Sequence, residues 1–114
     1  MALIRPFVPA KDFALSKAFY AAIGFRTDYE DADLAILDYE GAGFLLQDYH
    51  VADWTANCML QLFVADLDDW WRRTDDLAER FGVQPPRRPK MQPWGLRVGF
   101  LFDPSGVLWQ VSQA

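Results

Sequence analysis

One succession of turn and capping signals runs through this chain twice, and that duplication constrains the fold more than any other feature. Leu3 to Pro9 reads as a strand, and Asp12 is an N-cap for a helix over Phe13, Leu15, Ser16, Phe19, Tyr20 and Ile23 that Gly24 ends. Phe25 to Tyr29 and Leu34 to Tyr39 read as strands on either side of the acidic turn Glu30-Asp31-Ala32-Asp33. Glu40-Gly41-Ala42-Gly43 then leads tightly into a strand from Phe44 to Tyr49. After a polar crossing from His50 to Asn57 the order repeats. Cys58 to Ala65 reads as a strand, Asp66 caps a helix predicted over Leu67 to Phe81, and Gly82 closes it. The prolines of Gln84-Pro85-Pro86-Arg87-Arg88-Pro89 allow only a short edge strand. Leu96 to Phe102 and Val107 to Ser112 are strands flanking the turn Asp103-Pro104-Ser105-Gly106.

Each half is therefore a strand, a helix and three strands. The expected fold class is α+β, two βαβββ modules in one domain 1–114 with curved mixed sheets, module one about 1–50 and module two about 58–114. The letters repeat weakly: Ile36-Leu37-Asp38-Tyr39 through Leu45-Leu46 lines up with Phe100-Leu101-Phe102-Asp103 through Trp109-Gln110. A module this small buries too little surface to stand alone, so the halves must pack on each other or on a second chain.

Charge and composition exclude several classes of function. The net charge is -5, whereas nucleic-acid binding calls for a basic patch, so no nucleic-acid partner is expected. No apolar stretch approaches the roughly 20 residues of a membrane span, and the start lacks the basic-then-apolar pattern of a secretory signal, so the expected compartment is the cytoplasm. A single cysteine, Cys58, offers no internal disulfide and sits in an apolar strand, where a thiol is inert. Aromatics reach 16%, with five Trp, a share that points to pockets or interfaces as well as to a core. Adjacent Trp70 and Trp71 cannot share a helix face, so one packs inward and the other is free to meet a partner subunit.

Two segments carry a resemblance. Lys11-Asp12-Phe13, Ser16-Lys17-Ala18-Phe19-Tyr20 and Ile23-Gly24-Phe25, with Asp103-Pro104-Ser105-Gly106-Val107-Leu108-Trp109 near the other end, resemble the opening and closing motifs of the vicinal oxygen chelate superfamily. That superfamily holds glyoxalases, extradiol dioxygenases and bleomycin-resistance proteins. Gln92-Pro93-Trp94-Gly95, followed by Phe100 and Asp103-Pro104, looks most like the bleomycin-resistance branch, and Pro6 sits where that branch has a proline. The resemblance implies paired βαβββ modules, a homodimer with ligand clefts between modules, and an antibiotic-resistance role.

The enzymes of the superfamily hold a divalent metal with His or Glu from the first and last strands of each module. The resemblance places those positions at Arg5, Leu46, Met59 and Gln110, and a one-residue shift brings in Gln47, Cys58 or Gln61. A cation, an alkyl chain, a soft thioether and one neutral amide do not make a site for such an ion, so neither metal nor other cofactor is expected. His50 is the only histidine, which leaves no Ser-His-Asp or Cys-His arrangement and no catalytic residue to name. Carboxylate pairs such as Asp31 with Asp33, or Asp68 with Asp75 and Asp76, read as a turn and a solvated helix face.

The aromatic residues are the better lead. The resemblance puts Tyr29, Leu34, Gln61 and Trp94 where the bleomycin-resistance branch lines its cleft with rings; Tyr29 and Trp94 keep a ring, and Leu34 and Gln61 do not. Strand parity sets Met59, Gln61 and Phe63 together on one sheet face, and likewise groups Leu108, Gln110 and Ser112 on one face. Arg5, as a charge on the inward face, needs a ligand carboxylate or an intersubunit acidic partner, unless it lies on an exposed terminal strand. The expected function is metal-free binding of a small organic ligand, aromatic or cationic, by Tyr29, Leu34, Gln61, Phe63, Trp94, Gln110 and Arg5. The alternatives are a glyoxalase-like lyase or dioxygenase-type enzyme, drawing on residues such as Glu40, Tyr49 or His50, and a dimeric scaffold whose cleft has filled.

Overall fold

A computed structural model of the chain describes residues 2–114. Module one contains β1 (Phe7–Pro9), α1 (Phe13–Ala22), β2 (Arg26–Glu30), β3 (Leu34–Tyr39) and β4 (Ala42–Gln47). A short helix, α2 (Ala52–Thr55), lies in the crossing that the sequence marks only as polar. Module two contains β5 (Met59–Val64), α3 (Leu67–Trp71), α4 (Leu77–Phe81), β6 (Arg87–Met91), β7 (Arg97–Phe102) and β8 (Leu108–Gln113). Each module forms its own four-stranded sheet, in the orders β1-β4-β3-β2 and β5-β8-β7-β6. The outer pair β1–β4 is parallel and so is β5–β8, while the hairpins are antiparallel. Two mixed sheets with the same connectivity are the two βαβββ modules expected.

Local chemistry accounts for the helix starts and stops. The Asp12 carboxylate accepts from the Leu15 amide at 3.0 Å, and the Asp66 carboxylate accepts from the Asp69 amide at 3.1 Å. Each satisfies one of the amides that a helix start leaves unpaired. Gly24 and Gly82 follow the two helical segments with φ of +109° and +67°, the left-handed geometry that ends a helix and that a Cβ disfavours.

The predicted helix from Leu67 to Phe81 is not continuous. It breaks after Trp71 into a 3-10 turn over Arg72–Thr74 before α4 begins. The Thr74 hydroxyl donates to the Trp71 carbonyl at 2.7 Å, a local bond that competes with the regular helical ladder.

The helices lie against the inward sheet faces and bury one cluster shared by both modules. Val8, Phe19, Tyr20, Phe44 and Leu46 come from module one, and Leu62, Val64, Leu67, Leu77 and Val111 from module two. Trp70 is buried in this cluster, and Trp71 is half-buried with its ring over Gly99. A Cβ added to Gly99 would lie 2.4 Å from the Trp71 ring. Trp71 thus packs part of its ring within its own chain, where a glycine in β7 makes room for it.

A buried hydrogen-bonded chain ties the modules together. The Tyr20 hydroxyl, on α1, donates to the Asp103 carboxylate at 2.6 Å and accepts from the Trp109 indole at 3.0 Å. The other Asp103 oxygen accepts from the amides of Ser105 and Val107 at 2.8 and 2.9 Å, closing the β7–β8 turn. Rings of Tyr20, Phe25 and Phe44 surround the Trp109 indole at centroid distances of 5.4 to 5.8 Å. The residues that carry the motif resemblance, Tyr20, Asp103 and Trp109, are therefore spent on joining the halves.

Candidate functional site

With the helices covering one face of each sheet, the opposite faces are left open. In module one the open face carries Phe7 and Pro9 of β1, Leu45 and Gln47 of β4, and Leu34 and Ile36 of β3. Tyr29 lies opposite Ile36 and is half exposed. Its hydroxyl donates to Asp31 at 2.9 Å, and Asp31 also accepts from the amides of Asp33 and Leu34. These bonds hold the Asp31 carboxyl below the usual carboxylate range, and Asp31 in turn pushes the Tyr29 phenol up. The acidic turn works as a turn, as its sequence suggests. Arg5 is exposed in the segment before β1, close to Gly43, and its charge helps lower the Asp28 carboxyl. It forms no ion pair among the described residues.

In module two, cross-strand rows order the open face. Gln61 pairs directly with Gln110, which pairs with Phe100, which pairs with Arg87. The next row runs Phe63, Ser112, Val98 and Lys90. Met59, Leu108 and Phe102 form a third. Met59 and Phe63 are 58% and 48% exposed, a large apolar area for a face with no covering layer. Trp94 is 61% exposed at the tip of the β6–β7 hairpin. There Gly95 takes a φ of +91°, and the Gln92 amide donates to the Leu96 carbonyl at 2.8 Å.

The candidate residues thus fall into two groups: Tyr29, Leu34 and Arg5 with the first sheet, and Gln61, Phe63, Gln110 and Trp94 with the second. Only Gln61 and Gln110 are immediate neighbours. Gln61 also lines a gap of about 150 Å³ between the modules, with Pro6, Gly43 and Leu60 among its neighbours. Phe7, an open-face residue that the sequence reasoning did not select, and Gln47, which it reached only by a one-residue shift, line a second depression of about 270 Å³ with Tyr49, Val51, Trp54 and Cys58. Their strand parity carries the signal, but β1 and β4 pair across a helix, so their adjacency is not local. Burial pushes the Cys58 thiol up, which keeps it protonated and unreactive. His50 is half-buried and lines a depression of about 580 Å³ beside the Asp103-Pro104-Ser105-Gly106 turn, away from Tyr29 and Trp94.

One position requires correction. Leu46 is fully buried on the helix side of β4, so it belongs to the core; Leu45 and Gln47 are the β4 residues on the open face. The cause is hairpin length. Leu37 pairs with Phe44 in module one, whereas Leu101 pairs with Trp109 in module two, one residue further along. Aligning the letters slips β4 by one residue, and a slip of one moves every side chain to the other face.

The superfamily's metal is tested by the donors present. The open-face positions of β1, β4, β5 and β8 offer Phe7, Pro9, Leu45, Gln47, Met59, Gln61, Leu108 and Gln110. Three neutral amides and a thioether are poor ligands for a divalent cation, and no cluster of three His, Cys, Asp or Glu exists among the described residues. The residues do not fit the group.

The family model for the glyoxalase/bleomycin resistance protein/dioxygenase superfamily matches residues 3–111. The chain belongs to this superfamily. A bleomycin resistance protein from Klebsiella pneumoniae is 30% identical over 128 aligned residues, spanning 95% of this chain and 89% of that protein. A bleomycin-binding protein solved in complex with bleomycin superposes with a TM-score of 0.85 at 24% identity, covering 100% of this chain and 99% of that one. A lactoylglutathione lyase from Agrobacterium tumefaciens superposes less closely, with a TM-score of 0.72 at 17% identity over 100% and 95% of the chains. The solved structures establish a shared fold.

Proposed function

We propose that this protein binds and sequesters a small, partly aromatic organic ligand without metal; among its relatives, one is named a bleomycin resistance protein and another a bleomycin-binding protein. In this reading it works in the cytoplasm as a homodimer. The open face of one chain's first sheet then stands over the open face of the other chain's second sheet, so that Tyr29, Leu34 and Arg5 share a cleft with Gln61, Phe63, Trp94 and Gln110. Stacking on exposed rings and burial of apolar surface supply the affinity, and amides fix the orientation. One observation carries the reading: two sheet faces remain uncovered while bearing large apolar side chains, with Phe7, Tyr29, Met59 and Phe63 each exposed by 48% to 58%, and Trp94 on the neighbouring hairpin tip by 61%. Faces of that kind are binding surfaces in folded proteins.

Calorimetry and intrinsic tryptophan fluorescence against bleomycin and a panel of aromatic compounds test it. A saturable response that Trp94→Ala weakens without loss of folding is expected. Silence across the panel, with Trp94→Ala altering only stability, would end the reading. So would stoichiometric Ni, Zn, Fe or Mn in the purified protein.

A further inference from the structure

The chain as a whole is acidic, yet the open face of the second sheet is not. Arg87 and Lys90 lie on β6 opposite Phe100 and Val98, which places both on the open face. The Arg87 guanidinium sits 5.9 Å from the Phe102 ring, itself on that face. No carboxylate lies within ion-pair distance of Arg87 or Lys90 among the described residues. Inward of these cations stand Gln61 and Gln110, whose side chains make no hydrogen bond among the described residues, and Phe63.

We infer that this face takes a small aromatic anion. Its carboxylate, sulfonate or phosphate meets Arg87 and Lys90, and its ring lies over Phe63 and Phe100 beside the Gln61–Gln110 pair. A guanidinium over an aromatic ring is preorganised for such a group, because its planar donors match two oxygens at once. The inference rests on the cleft reading above and narrows it, replacing the cationic guest suggested by net charge with an anionic one. Net charge describes the far field, whereas specificity is set by the charges at the face itself.

The test uses two probes of one ring system, 8-anilinonaphthalene-1-sulfonate and the uncharged N-phenyl-1-naphthylamine, titrated into the full chain. The expected result is about tenfold tighter binding of the sulfonate, the size of one charge-assisted contact. The advantage should shrink with added salt and disappear in R87Q/K90Q, with the neutral probe unaffected. Both residues are on an exposed edge strand, so the variant should fold, and far-UV circular dichroism checks this. Equal binding of the two probes, or an R87Q/K90Q change that affects both alike, overturns the inference and leaves the cleft reading standing. Binding of neither probe, with silence toward bleomycin as well, overturns both. If sedimentation shows R87Q/K90Q splitting a dimer, the cations serve a second copy and the inference also falls.

Discussion

Removing a single oxygen, in Tyr20→Phe, tests whether the motif residues join the two modules. The substitution keeps the ring, which is packed against Phe19, Phe25, Phe44 and Trp109, and deletes the hydroxyl between Asp103 and Trp109. The lost bond to a carboxylate is worth about 1.5–3 kcal/mol, and leaving the buried indole N–H unpaired costs about 1–3 kcal/mol more. Together these give about 2.5–6 kcal/mol, a large part of the 5–15 kcal/mol typical of a whole domain. At about 2.1 cal/mol/K of unfolding entropy per residue, a chain of 114 residues loses about 10–25 °C in Tm. Urea unfolding followed by far-UV circular dichroism measures the change without depending on tryptophan emission. The companion variant Trp109→Phe removes the indole N–H. In its background Tyr20→Phe should cost only the Asp103 share, giving a coupling of about 1–3 kcal/mol. A cost below about 1 kcal/mol for Tyr20→Phe, or additivity of the two variants within about 0.5 kcal/mol, would refute the reasoning.

Other outcomes follow from the same structure. Gly99→Ala drives a methyl into the Trp71 ring and should destabilise by about 1–3 kcal/mol in urea titration, and a neutral result would mean that Trp71 moves aside freely. Asp66→Ala removes the cap of α3 and should cost about 1 kcal/mol in the same assay. Burial pushes the Asp103 carboxyl above the usual carboxylate range against the pull of its Tyr20 and backbone donors. A native group that holds its proton more tightly than the unfolded chain favours folding in acid, and that contribution fades as pH rises through the raised value. Stability measured from about pH 3 to pH 7 should therefore fall in the native protein relative to Asp103→Asn as pH rises, and the opposite slope would show that hydrogen bonding outweighs burial.

Much of the fold is legible before any coordinates, because its signals are local. Asp12 and Asp66 announce helix starts, Gly24 and Gly82 announce stops, and tight turns separate strands of period two. Those signals occur twice, so the paired modules and their connectivity follow from sequence alone. Parity likewise groups Gln61 with Met59 and Phe63, and Gln110 with Leu108 and Ser112, but not the register that sets Gln61 beside Gln110.

What sequence could not determine depends on contacts between distant residues or on a register of one. Leu46 looked like a site position until a hairpin one residue shorter in module one turned it into the core. Tyr20 and Asp103, 83 residues apart, form a buried bond that no local pattern announces. Trp71 finds its place only because Gly99 lies beneath it. Sequence determines which residues alternate and where the chain turns. The tertiary structure decides which of two faces each alternation presents, because a single-residue shift costs nothing locally and reverses everything that the strand touches.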